Sequence, residues 1–105
     1  MSTVYVVQQS DKNITPAMDF GAVEVILPNG PQVMFNAAHA VRLIRQAMYR
    51  FTEDDYIIAI GDPAAIGIAC AVAAERTGGR FKMLKWDRQE MRYYPVVVDL
   101  NVALT

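Results

Sequence analysis

Short runs of β-branched and aromatic residues alternate along the chain with longer stretches whose apolar positions recur every three or four residues. Thr3-Val4-Tyr5-Val6-Val7 opens the series and is closed by the polar Gln8-Gln9-Ser10-Asp11. It shows no polar alternation, the pattern of a strand buried on both faces. Ala22 to Leu27 reads as a second strand, stopped by Pro28-Asn29-Gly30-Pro31. Between the two, Thr15-Pro16-Ala17-Met18 suits one short helical turn, with Thr as cap and Pro at the first helical position. Gln32 to Phe35 reads as a short extended piece.

Asn36 is placed to cap a long helix from Ala37 to Phe51. Ala40, Val41, Ile44, Ala47, Met48 and Phe51 fall on one stripe of it, while Arg42, Arg45, Gln46, Tyr49 and Arg50 lie mostly off that stripe. Thr52-Glu53-Asp54-Asp55 then leads into a strand over Tyr56 to Ile60. Gly61-Asp62-Pro63 turns this strand directly into a second helix running to about Arg76. Asp62 caps that helix, and Pro63 takes the position where a missing N–H costs nothing. Thr77-Gly78-Gly79 ends it with the glycines a left-handed cap prefers. Arg80 to Trp86 and Arg92 to Val98 read as the arms of a hairpin, with Pro95 suited to an edge or bulged position in the last strand.

Strands separated by helices imply parallel pairing through right-handed crossovers. The expected fold is a small, truncated Rossmann-like α/β domain covering residues 1–105. Its mostly parallel sheet has the second strand on one side of the first and the Tyr56 strand on the other. The Arg80 strand follows, and the antiparallel hairpin partner forms the far edge. The length of 105 residues leaves room for one core, and a hydrophobic content of 53% is enough to fill it.

A net charge of −1 gives no global reason to expect a nucleic acid partner. Cys70 is the only cysteine, so no internal disulfide can form, which fits a reducing compartment. It sits in the most apolar stretch, where a thiol behaves as a small hydrophobe. Residues 1–9 lack a signal-peptide pattern, and no apolar stretch reaches bilayer length. The expectation is a cytoplasmic protein with no membrane contact.

In open α/β sheets ligands favour the carboxyl ends of strands where the chain winds off in opposite directions. That crevice is expected between Gln8, Gln9, Ser10 and Gly61, Asp62. The joint argues against phosphate, because Asp62 sets a carboxylate on the helix donors and Pro63 removes one of them. A neutral or cationic ligand suits it better. No glycine-rich nucleotide fingerprint and no GxSxG elbow occurs. His39 has no metal-ligating neighbour at useful spacing. No catalytic residue, metal or cofactor is assigned, and the chain reads as a non-enzyme.

The second helix is apolar all round, so a face left uncovered by the sheet is available to a partner protein or a second copy. Ala65, Ala69 and Ala73 are assigned to that surface. The stretch from Arg76 to Arg92 is locally basic with interleaved aromatics, and Trp86, Arg88, Arg92, Tyr93 and Tyr94 form a second candidate surface. Such a hairpin can stack single-stranded nucleic acid. A charged edge with its aromatics in the core is the plainer reading.

Val4-Tyr5-Val6-Val7-Gln8, Thr15-Pro16-Ala17, Phe20-Gly21, Asp55-Tyr56-Ile57-Ile58, Gly61-Asp62-Pro63 and Leu84-Lys85-Trp86-Asp87-Arg88-Gln89 ahead of Tyr93-Tyr94-Pro95 form a familiar set. With it the chain resembles small proteins of tailed bacteriophages for which no activity is established. The resemblance spans nearly the whole chain and is most distinctive from Lys85 to Pro95. It implies a phage source and a bacterial cytoplasmic context, and it transfers no functional residue. The expected function is a protein-interaction module, a phage accessory protein acting on a host or phage protein. The alternative is a small-ligand-binding domain using the crevice at Gln8, Gln9, Ser10, Gly61 and Asp62.

Overall fold

The computed structural model describes residues 1–30 and 32–103, so Pro31 of the expected turn lies outside it. Five strands form one sheet: β1 (Thr3–Gln8), β2 (Ala22–Leu27), β3 (Tyr56–Ile58), β4 (Arg80–Asp87) and β5 (Arg92–Asp99). Their spatial order is β2-β1-β3-β4-β5. The first three pairings are parallel and β4–β5 is antiparallel. This is the expected arrangement, and its order is that of flavodoxin-like sheets with the last strand reversed.

The chain moves from β1 outward to β2, then back across β1 to β3. Right-handed crossovers therefore place the two connections on opposite faces. One face carries two helices, α2 (Ala37–Ala47) and α3 (Pro63–Thr77), over Tyr5, Val7, Leu27, Ile57 and Phe81. The other carries only a five-residue 3-10 turn, Thr15–Asp19, over Val4, Val6, Ile58, Leu84 and Tyr93. β1 is central and feeds both cores with alternate side chains, which explains its lack of polar alternation.

The caps of α2 and α3 formed as the sequence implied. The Asn36 side chain accepts from the His39 N–H at 3.0 Å, and Asp62 accepts from the Ala64 N–H at 2.9 Å. Gly78 adopts φ 67°, the left-handed conformation that ends α3.

Several boundaries differ from the expectation. Gln32–Phe35 is a helical turn, α1, rather than extended. The long helix stops at Ala47, with Met48 as its cap and Phe51 packing from the following turn. β3 ends at Ile58 instead of Ile60. Ile14, not Thr15, sits at the cap position of the 3-10 turn, and Asn13 Oδ1 instead accepts from the Thr15 N–H.

A larger correction concerns α3. Ala65, Ala69 and Ala73 are fully buried, so they form the face laid on the sheet and not an exposed surface. Their small side chains let the helix backbone lie close to the strands. The outward positions are Ala64, Gly67, Ala71 and Glu75. A helix apolar all round gives no stripe from which the inward face could be picked. Arg45 of α2 reaches Glu75 of α3 at 2.8 Å, an exposed pair that adds little.

Asp55 anchors the amino ends of the strands. It is buried, and its carboxylate accepts from the Thr3 N–H and the Thr52 N–H, each at 2.8 Å, and from the Thr52 hydroxyl at 3.3 Å. Asp55→Ala would strand two backbone donors. We expect it to lower stability by about 2–4 kcal/mol in urea unfolding, because each buried donor left unpaired is costly. Asp54→Ala, at an exposed neighbour, should stay within about 0.5 kcal/mol of the native protein.

Candidate functional site

Gln8 ends β1 at the point where the connections diverge, and it is buried despite its polar side chain. Its amide oxygen accepts from the Asp62 N–H at 2.8 Å. Its amide nitrogen donates to the carbonyls of Pro28 and Gly30. The side chain thus ties the turn after β2 to the turn after β3. Gly61 lies against it with φ 118°, and a Cβ there would collide with the Gln8 Cβ. Glycine is required by both the conformation and the close approach.

The sequence-assigned crevice therefore exists, and Gln8 spans it from within. Gln8, Gln9, Ser10 and Gly61 line a hollow of about 410 Å³ together with Asp11, Lys12, Asn29 and Ile60. Asp62 is not part of that lining; its carboxylate caps α3. The Gln8 amide has both ends committed to protein partners, so what faces the hollow is polar loop.

A larger opening lies one strand further along. β3 pairs with β4 only as far as Ile58 opposite Leu84, whereas β4 continues to Asp87 beside β5. Beyond Ile58 the chain bends, with the Ile60 N–H donating to the Ile58 carbonyl at 2.9 Å. The Gln8 N–H donates to the Ile60 carbonyl at 3.1 Å and draws this exit towards β1. β4 runs on without β3 beside it, paired only with β5. The resulting crevice of about 680 Å³ is walled by Ile58, Ala59, Ile60, Met83, Leu84, Trp86, Tyr93 and Val96, with Lys12, Asn13 and Lys85 as its polar members. No carboxylate, histidine, cysteine or serine lines it.

Trp86 and Tyr93 had been singled out from the sequence, and the structure brings them together edge to face with ring centroids 4.9 Å apart. Tyr93 is buried and Trp86 half-buried, so this pair forms a wall of the crevice. Arg88 and Arg92 are exposed at the hairpin end. Arg92 lies over the Tyr94 ring at 4.5 Å. Lys82 lies over Tyr56 at 4.3 Å, Arg76 over Tyr49 at 5.5 Å, and Arg80 near Asp99 at 3.7 Å. Much of the local positive charge is thus engaged within the chain, which leaves a nucleic acid platform little to work with.

The sequence reading missed the wall supplied by Ile58, Ala59, Ile60, Met83 and Leu84. The available signal was a mismatch of lengths, a short strand before Gly61 beside a longer one from Arg80.

Among the described residues no cluster of three or more His, Cys, Asp or Glu is placed to hold a metal ion. No helix there is long and apolar enough to cross a membrane. Burial pushes the Cys70 thiol up from its ordinary value, the behaviour of a packing cysteine and not of a nucleophile.

The family described as Phage Pam3 gp32-like protein matches residues 2–100. The chain belongs to this family. The resemblance carried by the block from Lys85 to Pro95 is thereby placed in a phage context. No curated protein and no solved structure matches the chain.

Replacing Gln8 by Leu keeps its bulk but removes its hydrogen bonds. We expect a loss of about 2–4 kcal/mol in urea unfolding, since the Asp62 N–H and two carbonyls lose their partner. Faster amide exchange at Asp62 would mark the same loss locally.

Proposed function

We propose that this phage protein is an accessory factor that works by binding another protein, with the Trp86–Tyr93 crevice as its receiving site. The observation that carries this reading is an apolar opening at the carboxyl ends of two parallel strands, walled by an aromatic pair. Strand ends are where open α/β sheets take their ligands. Tryptophan and tyrosine in a pocket are the residue types that dominate binding energy at interfaces. Met83, Leu84 and Val96 supply apolar wall, so an aliphatic or aromatic side chain of the partner fits better than a charged one. Lys12 and Lys85 bias the surroundings of that side chain towards acidic residues. The lining holds no pairing of nucleophile and base, which favours binding over catalysis.

A second reading keeps the hollow beside Gln8 for a small ligand. It is favoured by the convergence of Ser10, Asp11, Lys12 and Asn29 there. Thermal-shift screening against metabolites addresses it, because a ligand at a hundredfold excess over its dissociation constant adds about 2.7 kcal/mol. A flat screen counts against it.

For the leading reading, immobilised protein is exposed to extracts of infected bacterial host cells beside a Trp86→Ala variant. A partner held by the native protein should bind the variant more weakly by about 2 kcal/mol or more, the cost of truncating an interface anchor. Circular dichroism should show the variant folded. Equal retention by both proteins, or no specific partner for either, would sink this reading.

A further inference from the structure

β5 closes one side of the sheet, and no strand of the described residues lies beyond it. Its register with β4 runs unbroken from Arg80 opposite Asp99 to Asp87 opposite Arg92. One residue further on, the Leu100 N–H donates to the Gly79 carbonyl at 2.8 Å. Backbone groups alternate in direction along a strand. Leu100 therefore fixes the parity: Arg92, Tyr94, Val96 and Val98 turn theirs towards β4. Tyr93, Pro95, Val97 and Asp99 turn theirs outward. Pro95 has no N–H, and this outward position is where the β4 ladder loses nothing by it.

The outer edge accordingly offers the N–H groups of Tyr93, Val97 and Asp99 and the carbonyls of all four outward residues. Its side chains are unusually apolar for a bare edge. Val97 is 73% exposed and Val96 41%, with Leu100 at 65% just beyond. Arg92 and Asp99 stand at the two ends, and no charge interrupts the strand between them. Edges left free are normally blunted by a lysine, an inward charge or a bulge along their length. Here proline is the one such device, and it acts at a single position.

We infer that this edge pairs antiparallel with the same edge of a second copy of the chain, about a two-fold axis at Val96. The axis of such a pair stands perpendicular to the sheet, so opposed residues must point to the same face. The pairing can then centre on one residue but not between two. Centred on Pro95, it sets two prolines opposite each other and leaves their carbonyls and the Asp99 N–H without partners. Centred on Val96, it sets Tyr93 opposite the second copy's Asp99 and Pro95 opposite its Val97. Each copy's Tyr93, Val97 and Asp99 N–H then meets a carbonyl of the other.

The same register covers the exposed valines. Val96 meets its own counterpart on the face that carries α2 and α3, flanked by Tyr94 against the second copy's Val98. Val97 packs on Pro95 on the other face. No like charges are opposed. Pro95 thus disfavours the register centred on itself, the Val96 register pairs the most N–H groups, and the two sheets become one continuous sheet. A foreign peptide strand could use the same donors, but it would have no reason to match this spacing of proline and valine.

The test is sedimentation velocity across micromolar concentrations, with two kinds of variant. Native protein should form dimers, and Val97→Lys, at an exposed position that leaves the fold intact, should weaken them by more than about tenfold. In a Cys70→Ala background, Val96→Cys should link into disulfide dimers in air, because opposed side chains come closest at a non-hydrogen-bonded pair, near the separation a disulfide needs. Val97→Cys, which faces Pro95, should link far more slowly. A native protein that stays monomeric at high micromolar concentration would overturn the proposal. Equal linking of the two cysteine variants would overturn the register.

Discussion

The carboxamide of Gln8 meets backbone groups from two other turns, accepting from Asp62 and donating to Pro28 and Gly30. Three strands leave the sheet side by side at this end, and their turns share no regular ladder. An amide with one acceptor and two donors is suited to hold them. Gly61 can lie against it only because it has no side chain. The position of the strand exits, and so the shape of every opening at this end, depends on that contact. The place where a ligand would enter a typical sheet of this order is braced by the protein itself, and the wider gap is displaced to the β3–β4 boundary.

Asp55 performs the corresponding task at the opposite ends of the strands. The two buried polar side chains among the described residues are these braces. Between them lies a sheet with unequal cover. α2 and α3 shield one face, while a single 3-10 turn shields the other. Leu84 and Tyr93 are buried on that second face all the same, because the hairpin twists back towards the turn. The uneven cover leaves the crevice open beside Trp86.

Much of this architecture was legible in the residues. Asn36, Asp62-Pro63 and Gly78 mark helix ends through local chemistry that tertiary contacts do not override. Strand order followed from alternation of strands and helices alone. The α3 surface was misread because Ala65, Ala69 and Ala73 differ in no local way from Ala64 and Ala71; only the sheet decides which side is inward. Gln8 looked like the polar end of a strand, and its partners lie 20 or more residues away. The crevice arises from where β3 stops pairing, a property of two strands, and its one trace in the residues is that the strand before Gly61 is shorter than the one from Arg80. Trp86 and Tyr93 were found because aromatic residues among charges stand out, although their contact was not foreseeable.

The central place of β1 also orders the events of synthesis. It precedes both of its neighbours in the chain, and the later of them, β3, begins only at Tyr56. Until Tyr56 to Ile58 leave the ribosome, Tyr5 and Val7 have no completed core to enter. The segment must wait with apolar side chains uncovered, since parallel pairing rewards the chain only after long loops close. Its early partner is β2, through the short connection that holds the 3-10 turn. The 3-10 turn that covers Val4 and Val6 lies within that connection, so the chain supplies the cover of the second face before the helices and strand that bury Tyr5 and Val7.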